Sequence, residues 1–526
     1  MKLLISDSLS EEGLKILREV KGFEVDVYKS LKPEELLQKI GEYDALIVRS
    51  ASKVTREVIE KAQKLRVIGR AGVGLDNVDV EAASEHGIIV MNAPEGNTIS
   101  TAEHTLSLLL SLARYIPQAN ASIWQGRWEK GKFTGRELYG KTLGIVGLGR
   151  IGSEVAKRAQ AFGMKVIAYD PFLSAERAGK MEVALVSLKE LFAQSDFITL
   201  HTPLTKETHH LLNAEAFGQM KGGVRVINCA RGGIIDEEAL AEAIRKGKVA
   251  GAAIDVFEKE PPVGNPLLTL DQVIATPHLG AATDEAQENV ATDIARQVAD
   301  ALLDRAIRNA VNYPSVDGEV LKVIRPFLKL AENIGTIQAQ LADGHIQHVK
   351  IRYSGEVTGY DTAPMTMSLM KGLLAPILGE TVNYVNAQVL AKNRGIKVIE
   401  SKTSELEDFA NVIEVEVKTD KLRSIVSGTL FGKDNPRIVK IDEFYIDAMP
   451  SGYLLVTFTK DVPGVVGTIG SILGRNEINI ASMSFGRRKQ GGRAITVLNV
   501  DSPVPDGVIR EILGAENIFD ARLIKL

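Results

Sequence analysis

Three polar residues of different chemistry follow strand-like segments in the middle of the chain. Arg231 follows the segment RVINCA, Glu260 stands directly before a Pro-Pro pair, and His278 lies in the segment TPHLG. A histidine can remove the proton of a hydroxyl group, a carboxylate can orient its ring and stabilise the imidazolium, and an arginine can hold a carboxylate through parallel hydrogen bonds. Together these types suit the oxidation of a 2-hydroxy acid, in which a hydride leaves as the proton is taken.

Each of these residues also has a plain structural interpretation. An isolated Arg-Gly-Gly is usually a turn, and a lone histidine is usually structural. Glu258 is a second candidate for the carboxylate beside the histidine. The occurrence of all three types at consecutive strand ends favours the functional interpretation, because open α/β sheets bind ligands at the carboxyl ends of their strands.

A glycine-rich turn precedes this set. Gly147, Gly149 and Gly152 form a GxGxxG pattern between a strand-like and a helix-like segment. Such glycines allow a tight turn, the approach of a pyrophosphate and close packing of the helix. Asp170 follows 18 residues after the third glycine, where a carboxylate accepts hydrogen bonds from ribose hydroxyls and repels a 2′-phosphate. The pattern therefore predicts NAD as cofactor; the alternative is a tight turn without a ligand.

Two further arginines, Arg49 and Arg70, end strand-like segments near the start of the chain. Two fixed guanidinium groups suit a dianionic phosphate as well as a carboxylate. Surface salt bridges are the alternative for both.

Composition limits the classes of protein to consider. The chain has 526 residues, of which 45% are hydrophobic and 25% charged, with a formal net charge of -4. This balance marks neither a nucleic-acid nor a membrane binder. Cys229 is the single cysteine, so no disulfide forms within the chain, as is typical of a reducing cytosol. The start is too short for a signal peptide and the longest apolar stretch is too short for a bilayer. We expect a soluble cytoplasmic protein without a metal site.

Alternating strand-like and helix-like segments predict an α/β fold up to about residue 312. We expect a discontinuous flavodoxin-like substrate domain, residues 1–97 and 294–314, with a Rossmann NAD domain, residues 98–293, inserted into it. A helix from about Ile99 to Gln118 should begin the inserted domain, with Pro117 as its stop signal.

The remaining chain predicts two α+β units. Residues 317–449 lack a glycine-rich phosphate loop and should form an intervening domain, in which RIVKIDEFYIDAMP reads as one strand. Residues 453–526 follow the order strand, helix, strand, strand, helix, strand, which is ferredoxin-like.

Five motifs together carry a family resemblance: GRAGVGLDNVD, GLGRIG, NCARGGIIDE, DVFEKEPP and TPHLGAAT. They are similar to those of the D-isomer-specific 2-hydroxyacid dehydrogenases. The two C-terminal units resemble the intervening and ACT domains of long-form members that oxidise 3-phospho-D-glycerate to 3-phosphooxypyruvate with NAD⁺ on the route to L-serine. The resemblance implies this activity, with Arg231, Glu260 and His278 as the catalytic set, since Glu260 holds the position directly before proline.

The same resemblance implies contacts for both ligands. Beyond the three glycines, NAD contacts fall at Val73, Arg150, Ile151, Asp170, Thr202, Cys229, Ala230, Arg231, Asp255, His278, Leu279, Gly280 and Ala281. Substrate contacts fall at Arg49, Ser50, Arg70, Gly72 and Asn97.

The ACT-like segment DVPGVVGTIGSILGRNEINI implies an effector site. In serine-sensitive members L-serine binds at a subunit interface, and Asp461, Gly464 and Asn479 match the positions that hold it. Asp461 stands where some sensitive relatives have asparagine, so serine binding is expected while inhibition stays open. The resemblance also implies a homo-oligomer, a dimer through residues ~99–136 or a tetramer if the ACT units pair as well.

Two other functions fit the same motifs. A glyoxylate or hydroxypyruvate reductase would use the same catalytic residues, although such relatives usually end after the catalytic core. An NAD-sensing regulatory protein of this fold would retain them too, and the ACT-like segment argues against it.

Overall fold

The computed structural model describes residues 1–316, 318–379, 381–405 and 409–526. The predicted start of the intervening domain, residue 317, lies outside this set. Within it the chain forms four β-sheets with covering helices. Short 3₁₀ helices lie at Ile40–Glu42, Lys130–Phe133, Pro266–Thr269 and Glu356–Gly359.

The first sheet contains five parallel strands in the order β2-β1-β3-β4-β5, the predicted flavodoxin-like arrangement. Its strands are β1 Lys2–Ile5, β2 Glu24–Val27, β3 Ala45–Val48, β4 Val67–Arg70 and β5 Ile89–Asn92, and its helices are α1 Glu11–Arg18, α2 Pro33–Lys39, α3 Arg56–Lys61 and α4 Val80–Glu85. Every residue of β3 is buried, because helices cover both faces of a parallel sheet.

Two helices, α5 Thr98–Arg114 and α6 Ile116–Trp124, connect the first sheet to the second. The prediction of one helix ending at Pro117 is wrong. Tyr115 adopts a left-handed conformation, φ 54°, that ends α5. Pro117 lies in the first turn of α6, where proline loses no helical hydrogen bond.

The second sheet contains seven parallel strands in the order β12-β11-β10-β9-β6-β7-β8. Its strands are β6 Thr142–Val146, β7 Lys165–Tyr169, β8 Ala184–Leu185, β9 Phe197–Leu200, β10 Val224–Asn228, β11 Val249–Ile254 and β12 Val273–Ala275, and its helices are α7 Arg150–Ala161, α8 Ala175–Gly179, α9 Leu188–Gln194, α10 Ala214–Gln219 and α11 Glu237–Arg245. The strand order reverses between β6 and β9, which opens the crevice where dinucleotides bind in this kind of sheet.

Helix α12, Asp284–Leu302, leads back to the first sheet. Its Val290 and Ile294 share an apolar core with Leu3 of β1 and Met91 of β5. The chain thus leaves the first unit and returns to it. The boundaries chosen from the sequence, at residues 97 and 294, stay predictions.

The third sheet has the order β14-β13-β15-β16-β17-β18 and carries helices on one face. Its elements are α13 Gly318–Leu341, β13 Ile346–Gly355, α14 Ala363–Leu378, α15 Ala387–Asn393, β14 Lys397–Thr403, β15 Asn411–Thr419, β16 Arg423–Phe431, β17 Asn435–Ile441 and β18 Phe444–Ala448. The prediction of a single strand in RIVKIDEFYIDAMP is wrong, because the chain turns at Asp442, φ 51°, between β17 and β18.

The fourth sheet is antiparallel, in the order β20-β21-β19-β22, and has the predicted ferredoxin-like element order. Its elements are β19 Tyr453–Lys460, α16 Val465–Arg475, β20 Ile480–Arg487, β21 Arg493–Val500, α17 Asp506–Leu513 and β22 Ile518–Lys525. One face packs on α16 and α17, while Leu454 and Val456 on the other face join the core around α13. Across the described ranges, no helix has the length and apolar character needed to cross a membrane.

Candidate active site

The structure brings His278 and Glu260 together after the ends of β12 and β11. The His278 Nδ1 atom lies 3.0 Å from Oε2 and 3.1 Å from Oε1 of Glu260. The amide of Phe257 donates to Glu260 Oε1 at 3.2 Å, which fixes the carboxylate. His278 has a left-handed φ of 57°, and its amide donates to the carbonyl of Asp255. With Nδ1 turned to the carboxylate, Nε2 is left for the cleft that His278 lines.

The geometry separates the two candidate carboxylates. Glu258 Oε1 lies 2.5 Å from Nε2 of His210. Glu260 alone of the pair lies beside His278, as the position before proline implied.

Asp255 holds the turn that carries His278. Its fully buried carboxylate accepts hydrogen bonds from the amides of Leu279 and Gly280, at 2.7 and 2.9 Å, and from the Thr276 hydroxyl at 2.6 Å. His104 Nε2 lies 3.2 Å from it. Although burial opposes ionisation, these hydrogen bonds hold the pKa of Asp255 below its usual value. The carboxylate implied as an NAD contact is therefore used within the protein, and His104 was not among the predicted residues.

Cys229 belongs to the same buried cluster. His104, Cys229 and Asp255 have ligand atoms within 4.8 Å of one another, a spacing that a metal ion could use. Burial raises the pKa of the Cys229 thiol to about 12. The Cys229 side chain lies in the core, away from the main cleft.

Three arginines line one cleft of about 830 Å³ with His278 and Glu260. Arg49 follows β3, Arg70 ends β4 and Arg231 follows β10, so the two sheets contribute to opposite walls. Burial, and next the charge of Arg231, lower the pKa of Arg70 to about 10, which still leaves its guanidinium charged at neutral pH.

Of the other predicted substrate contacts, Ser50 and Gly72 line this cleft. Asn97 lies at the start of α5, and its buried Oδ1 accepts no hydrogen bond within the described residues. Among the predicted NAD contacts, Ala281 lines the cleft. The amides of Leu279 and Gly280 donate to the Asp255 carboxylate. The carbonyl of Val73 accepts a hydrogen bond from the Asn92 side-chain amide at 2.6 Å.

The glycine turn has the local geometry of a phosphate-binding site. Gly147 has φ 92° and its amide donates to the carbonyl of Tyr169. A Cβ on Gly152 would lie 2.1 Å from the Gly147 carbonyl oxygen, so α7 packs against the turn at a distance that only glycine permits. A Cβ on Gly149 would meet nothing within 4 Å. Open space thus lies in front of the N-terminus of α7, where amides of Arg150 and Ile151 attract anions.

Asp170 closes the other side of this turn. Its carboxylate accepts hydrogen bonds from the amides of Leu148 and Phe172, both at 2.9 Å. Beside the turn, the buried Thr202 Oγ1 has no hydrogen-bond partner in the part of the chain that the structure describes. An unpaired buried hydroxyl is costly, and a polar ligand would satisfy it. The crevice therefore fits NAD.

The predicted effector residues do not come together within one chain. Asp461 follows β19 and accepts from Arg487 Nη1 at 2.9 Å and from the Gly491 amide at 3.0 Å. Asn479 precedes β20 and donates to Asp501 at 2.7 Å. These residues flank opposite ends of β21, roughly 30 Å apart at the usual rise per strand residue. Gly464, φ 97°, lies at the Asp461 end, where α16 begins.

The cleft also contains charged residues that were not predicted. Lys53, Asp76 and Lys259 line it beside the arginines. Asp76 belongs to the quoted motif GRAGVGLDNVD, so a signal for it was present in the sequence.

Comparison with known families matches three segments of the chain. Residues 106–280 match the D-isomer specific 2-hydroxyacid dehydrogenase NAD binding domain. Residues 323–442 match the D-3-phosphoglycerate dehydrogenase intervening domain. Residues 453–517 match the ACT domain.

Full-length relatives agree with these matches. The chain is 49% identical to the D-3-phosphoglycerate dehydrogenase of Methanocaldococcus jannaschii, over 100% of both proteins. It is 48% identical to that of Synechocystis sp., over 100% of this chain and 95% of the relative. It is 46% identical to that of Bacillus subtilis, over 100% of this chain and 99% of the relative.

Solved structures match the catalytic part. A D-lactate dehydrogenase from Aquifex aeolicus, complexed with NAD and lactic acid, is 31% identical with a TM-score of 0.54 and covers 60% of this chain and 100% of its own. A glyoxylate reductase from Paecilomyes thermophila is 32% identical with a TM-score of 0.55 and covers 59% of this chain and 98% of its own. The family matches, the full-length identities and the arrangement of the cleft agree, and the chain belongs to the D-3-phosphoglycerate dehydrogenases within the D-isomer-specific 2-hydroxyacid dehydrogenase family.

Proposed function

We propose that this protein oxidises 3-phospho-D-glycerate to 3-phosphooxypyruvate with NAD⁺, the first step of the phosphorylated route to L-serine. The observation that carries the proposal is the presence of three arginines in the cleft that contains the His278–Glu260 pair. The substrate has a carboxylate next to the reacting carbon and a phosphate at its far end. Arg231 comes from the same sheet as His278 and suits the carboxylate, while Arg49 and Arg70 on the opposite wall suit the phosphate.

The residues of the cleft divide the chemistry between them. The glycine turn at Gly147 and Asp170 would hold NAD⁺, which would supply the hydride acceptor for carbon 2. His278 Nε2 takes the proton of the carbon-2 hydroxyl, and Glu260 at Nδ1 stabilises the imidazolium that forms. Arg231 fixes the carboxylate and stabilises the carbonyl oxygen as it forms. In the reverse direction His278 returns the proton.

Substrate choice is tested by steady-state kinetics. We expect turnover with NAD⁺ and 3-phospho-D-glycerate, and a kcat/KM at least about 100-fold lower with D-glycerate, which lacks the phosphate that two arginines would bind. Glyoxylate with NADH tests the reductase alternative. Equal efficiency with D-glycerate would refute the phosphate assignment, and no turnover of any acid would favour an NAD-sensing protein.

The two wall arginines allow a sharper experiment. Replacing Arg49 by glutamine should raise KM for 3-phospho-D-glycerate about tenfold or more, because a charged hydrogen bond to the phosphate is lost. KM for D-glycerate should stay within about twofold, since that acid has no group at this position. An equal rise in KM for both acids would show that Arg49 binds the substrate carboxylate or maintains the fold, and does not bind the phosphate.

Regulation is proposed to depend on a second copy of the chain. The ACT domain suggests an amino-acid effector, and L-serine would bind between Asp461 and Gly464 of one copy and Asn479 of another, because one chain keeps these residues apart. The exposed Trp124 and Trp128 support a dimer interface along residues ~99–136, with ACT pairing giving a tetramer. A cytoplasmic location is consistent with the single buried cysteine.

A further inference from the structure

Within the cleft, a carboxylate of the protein itself lies beside the catalytic arginine. Asp76 Oδ2 lies 3.3 Å from Nε of Arg231. Asp76 comes from the loop after β4 in the first sheet, and Arg231 follows β10 in the second, so the pair crosses the cleft. Nη1 of Arg231 donates to the carbonyl of Ala230 at 2.7 Å. Asp76 therefore lies where an incoming anion would meet the guanidinium.

The Asp76 carboxylate lies in a cleft lined by several positively charged side chains. Arg49 and Arg70 line the same cleft, and among the residues that the structure describes neither forms an ion pair with a carboxylate. Asp76 is the acidic neighbour with the largest effect on Arg70, whose pKa it partly restores against burial and the charge of Arg231. Asp76 thus offsets part of the positive charge of three guanidinium groups, which repel one another across the cleft.

The exposure of the two partners indicates an exchangeable contact. The Asp76 side chain is 69% exposed, whereas that of Arg231 is 28% exposed. A carboxylate largely in water gains little from a single ion pair. A substrate with a carboxylate and a phosphate would gain contacts with several cations at once, so it can displace Asp76 from Arg231.

We propose that Asp76 is the counter-ion of Arg231 in the substrate-free enzyme, that the substrate carboxylate displaces it, and that Asp76 thereby sets substrate affinity. It is a positioning residue, because it holds the guanidinium across the cleft without contacting the reacting atoms. The inference rests on the proposed function for the identity of the acid. The displacement of Asp76 itself involves only the substrate carboxylate, which all 2-hydroxy acids have.

The test is the Asp76→Asn variant, which keeps the shape of the side chain and removes its charge. We expect KM for 3-phospho-D-glycerate to fall roughly 3- to 10-fold, because the competing carboxylate is gone, while kcat stays within about twofold. KM for NAD⁺ should not change. The Asp76→Glu variant restores a carboxylate and should return KM towards the wild-type value. A residue with a merely structural role would lower kcat or stability in both variants and would not separate KM from kcat.

A matched control removes the same charge elsewhere on the rim. Glu285 lies in the first turn of α12, next to Ala286 of the cleft wall. Glu285→Gln should change KM less than about twofold, since general electrostatics at the rim are screened by salt. An unchanged or raised KM in Asp76→Asn, or an equal fall in Glu285→Gln, would overturn the inference. If the wild type prefers another 2-hydroxy acid, the proposed function fails, and the same variants measured with that acid still decide the role of Asp76.

Discussion

At the scale of single residues, the second sheet carries two histidine–glutamate pairs with similar geometry. His278 lies 3.0 Å from Glu260, and His210 lies 2.5 Å from Glu258. Only the first histidine lines the cleft with Arg231. The pair itself therefore does not define a catalytic base. Its free nitrogen must also face a cavity in which a substrate anion can be held.

Replacing His278 by alanine should lower kcat at least about 1000-fold, because the proton acceptor is lost. Binding of NADH, followed by its fluorescence, should persist, since the glycine turn and Asp170 are unaffected. The matched control is His210→Ala, which removes the histidine of the other pair and should leave kcat within about threefold. Equal losses in the two variants would contradict the assignment of the base.

Asp170 allows a second prediction at this scale. In Asp170→Asn the charge that repels a 2′-phosphate is gone, while an oxygen remains to accept from the Leu148 amide. The ratio of kcat/KM for NADP⁺ to that for NAD⁺ should rise at least about tenfold. Glu176→Gln, an exposed acid in the following helix α8, is the control and should leave the ratio unchanged. A ratio unaltered by Asp170→Asn would show that another group selects the cofactor.

At the scale of elements, the turn between β6 and α7 uses its glycines in different ways. A side chain on Gly152 would collide with the backbone of Gly147, so this glycine sets how closely the helix packs. Gly149 faces open space and has φ -73°, which any residue can adopt. Folding alone does not require a glycine there. A pyrophosphate bound in that space would require one, because a side chain would occupy the same space.

The two glycines should consequently respond differently to alanine. Gly152→Ala should lower the free energy of unfolding by roughly 2 kcal/mol or more, because the helix must move away from the strand. Gly149→Ala should change it by less than about 1 kcal/mol yet weaken NADH binding at least about tenfold. Chemical denaturation and NADH titration measure both effects.

Gly218→Ala is the control for this pair. Its Cβ would lie in open space within α10, so stability should stay the same or rise slightly without any effect on NADH binding. Normal NADH affinity in Gly149→Ala would mean that the pyrophosphate does not occupy the space in front of this residue.

At the scale of the whole molecule, the two C-terminal units share one apolar core. Leu454 and Val456 of β19 pack in the same cluster as Leu330 and Ile334 of α13. The ACT sheet is thereby fixed to the helix that follows the catalytic part. On this sheet, Asp461 and Asn479 lie at opposite ends, so the serine site that we propose requires Asp461 from one copy and Asn479 from another.

This geometry predicts that two variants, each unable to bind L-serine alone, restore binding when they assemble together. Calorimetry with L-serine should give heat with the parent protein and none with Asp461→Ala or Asn479→Ala alone. Mixed oligomers, produced by co-expressing the two variants with different tags, should regain one of the two sites at each interface between unlike copies, because only that site combines two intact residues; with random pairing this is about a quarter of all sites. A site formed within one chain would not be restored by mixing, and absence of heat in the parent protein would refute the serine proposal.

The sequence by itself determined the local chemistry of this protein. Spacing of apolar residues and glycines predicted the α/β alternation of the first domain, the strand–turn–helix at Gly147 and the order of elements in the ACT unit, because these depend on contacts between near neighbours in the chain. The break at Tyr115 was missed, since a proline signals both the end of one helix and the start of the next.

Only the tertiary structure decided which of these residues meet. It showed that Glu260, which its position before proline already favoured over Glu258, lies beside His278, and it brought Asp76 to Arg231 across the cleft. Both outcomes depend on how two sheets pack and how loops from distant segments are directed. Such long-range geometry is set by the sum of many weak packing contacts, which no local pattern in the sequence contains.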